Sequence, residues 1–290
     1  MKLRNRSFAF CVLLFLCLSH LLASDPIRIF WVTDNHLKYG DPVLEERLAW
    51  FIEEVKREKP AIVIHTGDAI DGKRGREYAL KEIERFAFYW DQIPDSVVSL
   101  FVPGNRDIGS GYETAEEDWL FYSGNTEKIA GSFFNRIVDY HDDGIRLRFI
   151  LLCDFSRTLD ASALACWLSD ALTAYGIQAI FVLSHSASLY PMVTGLLDTA
   201  PNREVPVYFL HGHEHGGLGM ALQEAEPEAN SRFFALNVWR YLLGGLQDGY
   251  YGAMQTVFQR VLPLLVQPPF YEEMTIDISG VMAHRTIRQP

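Results

Sequence analysis

The sequence predicts an α/β fold built on a parallel sheet whose strands end in polar residues along one edge. Three observations carry this. Short apolar runs rich in β-branched residues alternate with stretches of helical periodicity. The first such unit, residues 27–65, is a β-α-β crossover, and its right-handed connection brings both strand ends to the same edge. Further along, Asp142-Asp143-Gly144 separates two strand-like stretches, a hairpin signal that adds antiparallel pairing to the parallel sheet.

Each element has its own signal. Ile27 to Thr33 is the first strand, followed by Asp34-Asn35-His36. Asp41-Pro42 caps a helix with Pro at its first position, and Leu44, Leu48, Phe51, Ile52 and Val55 fall on one face. Pro60 closes that unit. Ala61 to His65 is a buried parallel strand, after which Gly67 turns the chain and Asp68 stands at the strand's carboxyl end. A helix over 77–90 leads to a strand over 97–102, which ends in Gly104-Asn105-Arg106-Asp107. Residues 112–122 read as a loop with a helical turn. Strands over 136–141 and 145–152 flank the hairpin turn, and 160–175 is an amphipathic helix with Leu164, Trp167, Leu168 and Leu172 inward. Strands over 178–183, 205–210 and 232–236 follow; the first ends in His185 and the second in Gly212-His213-Glu214-His215. Residues 186–204 read as a pocket loop. Strands over 272–278 and 281–287 around Ser279-Gly280 form a terminal hairpin.

Of the 290 residues, 49% are hydrophobic and 22% charged, with a formal net charge of −11. That balance is globular, and its acidity argues against a nucleic-acid groove working by charge alone. Residues 1–24 read as an export signal: Lys2, Arg4 and Arg6 precede an apolar run from Phe8 to Leu18 and a cleavage-like Leu21-Leu22-Ala23-Ser24. An uncleaved anchor is the alternative. The expectation is therefore an exported protein with one domain over 25–290. Residues 250–266 are apolar but broken by Arg260 and Pro263, which favours a packed helix or a cap over membrane contact. Beyond residue 24, Cys153 and Cys166 have no metal-binding spacing; an oxidising compartment permits a disulfide without requiring one.

The strand ends gather one kind of chemistry: Asp34 with His36, Asp68, Asn105, His185, and His213 with His215. Oxygen and imidazole donors without thiolate suit zinc, manganese or iron, and hold too much imidazole for calcium or magnesium alone. The set exceeds what one ion needs once water binds. Two ions sharing a carboxylate fit it better, with Asp68 as the bridge. A lone strand-end His is more often an ordinary surface group; the combination carries the weight. His65 and His211, just before two of the blocks, alternate away from the site.

These blocks resemble those of the calcineurin-like metallophosphoesterase superfamily. Asp-x-His matches Asp34–His36, Gly-Asp-x-x-Asp or a relative of it matches Gly67–Asp71, and Gly-Asn-His-Asp/Glu matches Gly104–Asp107 except at Arg106. The lone His185 and Gly-His-x-His at Gly212–His215 complete the series, which spans residues 27–215. The resemblance implies a four-layer α/β/β/α sandwich of two mixed sheets, with two divalent ions (Mn, Fe or Zn) at the strand ends. One ion would take Asp34, His36, Asp68 and His215, the other Asp68, Asn105, His185 and His213. A hydroxide bridging them would attack phosphorus in line, with Asn105, Arg106, Asp107 and His185 as the catalytic set.

Arg106 departs from the family, which usually has a proton-donating His there. Arg keeps its proton at any ordinary pH, but its forked donors hold phosphate oxygens well. The UDP-diacylglucosamine pyrophosphohydrolase branch shares Gly-Asn-Arg-Asp, although its fourth block carries an acid after His-Gly, whereas this chain reads Ser184-His185-Ser186. The expectation is a phosphodiesterase or pyrophosphatase acting on a small phosphorylated substrate, nucleotide- or lipid-derived. The alternatives are a phosphomonoesterase or protein phosphatase and, in another class, a non-catalytic scaffold of the same fold. Asp71 stands where purple acid phosphatases have Tyr.

Overall fold

Alternation along each strand sorts the side chains into layers. The computed structural model describes residues 26–109, 112–123, 135–155, 160–173, 175–197, 205–213, 233–237, 270–277 and 282–288. The segments 1–24 and 250–266, read above as an export signal and as a packed helix or a cap, lie outside these residues, as does His215. Among the described residues no helix is long and apolar enough to cross a membrane.

The first sheet contains β1 (Ile27–Val32), β2 (Ile62–His65) and β3 (Val98–Phe101) in parallel, extended on the β1 side by the hairpin β9 (Phe270–Ile276) and β10 (Met282–Arg288). The second runs β4 (Arg136–Asp142), β5 (Ile145–Leu151), β6 (Ala179–Leu183), β7 (Val207–His211) and β8 (Phe233–Asn237), parallel except for the β4–β5 hairpin. The expected hairpins and crossovers are present, with boundaries moved by a residue or two.

Ile27, Ile29, Trp31, Ile62, Ile64 and Leu100 face inward and meet Leu147, Phe149, Leu151, Phe181, Leu183 and Leu210 of the second sheet. Phe149 stacks on Phe181 at 5.0 Å. The opposite residues, Phe30, Val32, Val63 and Phe101, pack under α1 (Pro42–Glu58) and α2 (Arg76–Trp90). On the far side Ile150, Ile180, Val182 and Phe209 pack under α5 (Ala161–Leu172) and α6 (Tyr190–Leu197). The result is a four-layer α/β/β/α sandwich. Each fully buried Leu, Ile or Phe in these three cores contributes about 1.5–3 kcal/mol.

α1 starts as the sequence predicts: Asp41 accepts hydrogen bonds from the backbone N–H groups of Val43 and Leu44. Two expectations change. Residues 112–122 hold a nine-residue helix, α4 (Ala115–Ser123), after the short turn α3 (Asn105–Ile108), because Trp119 anchors it on Phe101. The region 186–204 is not all loop: Val193 and Leu197 seat α6 in the outer core. In α5 the half-buried Trp167 gives way to Ala171 as the fully buried residue. Cys153 is buried, Cys166 is exposed, and both are free thiols.

Candidate metal centre

The carboxyl ends of β1, β2 and β3 meet those of β5, β6 and β7 at one edge of the sandwich. Beyond β1 and β2 the two chains stay zipped: the N–H groups of Asp34, His36 and Leu37 donate to the carbonyls of Gly67, Asp68 and Ala69, each at 2.9 Å. This pairing holds Asp34 and His36 beside Asp68. Asp34, His36, Asp68 and His213 all adopt left-handed backbone, with φ of 55°, 45°, 55° and 64°. Such conformations in non-glycine residues cluster where a site demands them.

Two ligand-like triads share one member. Asp68, His185 and His213 form the first; Asp34, His36 and Asp68 form the second. The Asp68 carboxylate divides between them, with Oδ1 3.2 Å from His185 Nε2 and Oδ2 3.7 Å from His36 Nε2. His36 Nε2 also lies 3.8 Å from Asp34 Oδ1. Asp34, Asp68 and His185 are buried, while His36, Asn105 and His213 stand on the partly exposed rim.

The donor set fits a cation on its own geometry. His185 Nδ1 lies 2.7 Å from the Thr66 carbonyl, which can only accept, so the ring proton is on Nδ1. Its Nε2 faces Asn105 Oδ1 and His213 Nδ1, each at 3.2 Å, as well as Asp68 Oδ1. Electron pairs converging this closely require positive charge among them. The same neighbours favour positive charge at His185 itself: burial opposes it, but the hydrogen bond and charge of Asp68 outweigh burial and lift the imidazolium to about 10, so a cation held at Nε2 would take the place of a proton there. Burial also penalises the Asp68 carboxylate, which the hydrogen bond and charge of His185 nevertheless hold below its ordinary value. A fixed backbone acceptor behind a ligand imidazole is the usual support of a metal site.

Glycine provides the room. A side chain at Gly104 would meet Asp68 and come within 2.8 Å of His185 Nε2. One at Gly67, where φ is +97°, would come within 2.6 Å of His185 Nδ1 and 2.7 Å of the Gly104 nitrogen.

Residues 27–217 match the family described as calcineurin-like phosphoesterase. The chain belongs to that family. It is thus a metal-dependent phosphoester hydrolase, and the family implies a dinuclear centre of divalent ions. The phosphoesterase resembles a dimetal phosphatase from Danio rerio at 13% identity and TM-score 0.53, over 92% of this chain and 100% of that one. It also resembles a purple acid phosphatase from yellow lupin (Lupinus luteus) seeds at 14% identity and TM-score 0.47, over 92% of this chain and 52% of that one. GAP50, described as the anchor in the inner membrane complex of Plasmodium, aligns at 17% identity and TM-score 0.43, over 66% of each chain. At these identities the likeness is one of fold. No curated protein matches the phosphoesterase.

The remaining motif residues take distinct places. Arg106 donates its backbone N–H to Asp68 Oδ1 at 2.8 Å, and among the described residues its buried Nε–H has no partner. Asp107 is buried beneath the site. It accepts the Gly104 N–H at 2.7 Å and the Ile70 N–H at 3.2 Å, so it shapes the turn that carries Asn105 and Arg106. Burial, with Asp68 nearby, pushes its carboxyl up to about 8. Asp71 is buried, with its carboxylate 3.9 Å from Lys38 Nζ.

His65 points away from the site, as alternation predicts, and stacks on Phe101 with ring centroids 4.9 Å apart. Complete burial drives its imidazole down to about 3. It is therefore neutral, with Nδ1 accepting the Gly67 N–H and Nε2 donating to Asn35 Oδ1 at 2.6 Å. His211 is likewise buried.

Three residues support the site, of which Glu82 and Phe155 escape a reading of the sequence and Asp154 is marked only by following a strand. Fully buried Glu82 accepts from the N–H groups of Tyr39 and Gly72 and from Arg74, tying both ligand loops to α2. Asp154 accepts from the Ser186 N–H and Oγ–H, which fixes the chain just after His185. Phe155 lies against His185 and His213, with ring centroids 5.6 and 5.3 Å away. Their partners are distant in sequence, so only the Asp154 position, after a strand, gave any signal.

Proposed function

We propose that this protein is an exported phosphodiesterase or pyrophosphatase that uses two divalent ions held by Asp34, His36, Asp68, Asn105, His185, His213 and His215. The observation that carries the reading is the Asp68 carboxylate, which offers one oxygen to each triad. Bound there, the two ions would supply Lewis acidity toward phosphate oxygens and a water that loses its proton near neutral pH.

The chain's own residues do the rest. Asp68 fixes the spacing of the two halves of the site. Thr66 holds His185 in the tautomer that leaves Nε2 free as a donor. Asn105 brings a neutral oxygen rather than another carboxylate, which keeps its side of the site more electrophilic. Arg106 brings a guanidinium whose forked donors suit nonbridging phosphate oxygens. Position 106 offers no proton to the leaving group, which therefore departs more readily as a stable anion. That favours aryl diesters and pyrophosphates over alkyl phosphomonoesters. The basic start and apolar run of residues 1–24 support export.

A rate panel with manganese, iron or zinc tests this. The expected order of kcat/KM is aryl diester, then aryl monoester, then alkyl monoester. Arg106→His is expected to raise alkyl monoester turnover relative to the aryl diester. Fastest cleavage of alkyl monoesters by the unaltered protein would overturn the assignment.

A further inference from the structure

Phe155 is the one large apolar side chain among the described residues in ring contact with both His185 and His213. Its centroid lies 5.6 Å from the first at an interplanar angle of 61° and 5.3 Å from the second at 50°. The two imidazoles are themselves 4.9 Å apart. The benzene ring is only partly buried, resting on the core beneath α1 and α2. It therefore keeps open surface while lying against the rim residue His213.

The surroundings of the two triads differ in kind. Two residues beyond His36 in the chain and three beyond Asp68 stand Lys38 and Asp71, a polar pair 3.9 Å apart. Next to the His185 triad stands Phe155. A phosphoester bound across Asp68 thus has a flat apolar neighbour at the end held by His185 and His213.

We propose that Phe155 is a specificity-determining residue: the wall against which one ester substituent of the substrate lies, favouring flat, apolar or aromatic groups over small alkyl groups. This rests on the phosphoesterase reading above and adds a substrate preference to it. The physical basis is apolar burial plus ring–ring contact, which together select for planar groups without demanding a particular hydrogen-bond pattern.

The test uses two diesters with the same leaving group, bis(4-nitrophenyl) phosphate and methyl 4-nitrophenyl phosphate, so that only the second substituent changes. Phe155→Ala is expected to lower the ratio of their kcat/KM values by about five- to tenfold, the scale of one lost aromatic contact. The loss should fall mainly on KM for the bis-aryl ester. Phe155→Trp should keep or raise the ratio. Metal content per chain, measured after purification, should match the unaltered protein in both variants. Calorimetric titration gives a readout without turnover: phenylphosphonate should lose its advantage over methylphosphonate in Phe155→Ala.

An unchanged ratio, with both esters slowed in parallel and metal lost, would mean that Phe155 only braces the histidines, and the proposal would fall. If the unaltered protein with manganese, iron or zinc cleaved neither ester, the phosphodiesterase reading would fall first and take this inference with it. Activity on both esters with a ratio indifferent to residue 155 would sink this inference alone.

Discussion

Asp34, His36, Asp68 and His213 hold left-handed backbone although none is glycine. Conformations of this kind cost on the order of 1–3 kcal/mol each and persist only where their surroundings enforce them. Here the enforcement is visible in the zipped loops beyond β1 and β2 and in the bare glycine surfaces opposite them. Gly104→Ala makes the point testable. Its added carbon would collide with Asp68 and crowd His185, so the variant should retain less than one metal per chain and lose at least tenfold in activity. Metal analysis beside the activity assay checks this; full metal content would show that the loops yield more easily than their contacts imply. At this scale the donors were legible, because Asp, Asn and His recur after apolar runs. The supports were not. Nothing near Asn35 in the sequence marks its bond to His65, and nothing near Phe155 marks the two imidazoles it touches.

Strands and crossovers declared themselves through alternation, β-branching and turn residues, so the order of elements emerged from the chain. The helices missed have a common cause. α4 has little amphipathic pattern of its own and owes its place to Trp119 on Phe101, a contact between residues far apart in sequence. α6 is short and begins at Tyr190-Pro191, which reads as a loop until Val193 and Leu197 find the outer core. Glu82 shows how an element far from the chemistry can govern it. A buried carboxylate on α2 gathers two backbone N–H groups and one guanidinium from both ligand loops. Glu82→Ala leaves the buried Gly72 N–H without its acceptor and opens a void under both loops, and should cost about 2–4 kcal/mol of stability. Thermal unfolding is the measurement. Glu82→Gln, which keeps acceptor oxygen but loses charge, should recover part of the loss.

Across the molecule, one ion network fastens the terminal hairpin to the first crossover. Arg28 on β1 pairs with Glu58 at the end of α1 and with Glu273 on β9, and Glu273 also pairs with Arg285 on β10. The hydrogen bond from Arg28 holds the Glu58 carboxyl below its ordinary value of 4.5, against a smaller opposing effect of burial. A carboxyl whose folded value is depressed stabilises above its unfolded value and loses that contribution as pH falls through the folded one. The melting temperature should therefore drop between pH 6 and pH 3 by less in Glu58→Gln than in the unaltered protein. Equal drops would mean that the pair is screened into irrelevance.

Asp34, His36, Asp68 and Asn105 follow strands of the first sheet, whereas His185 and His213 follow strands of the second. Any ion gripped by both sets is a rivet through the seam between two slabs. Its affinity then counts toward their cohesion, by mass action, as well as toward chemistry. Wear anywhere along that seam loosens the rivet, and a lost rivet lets the slabs drift.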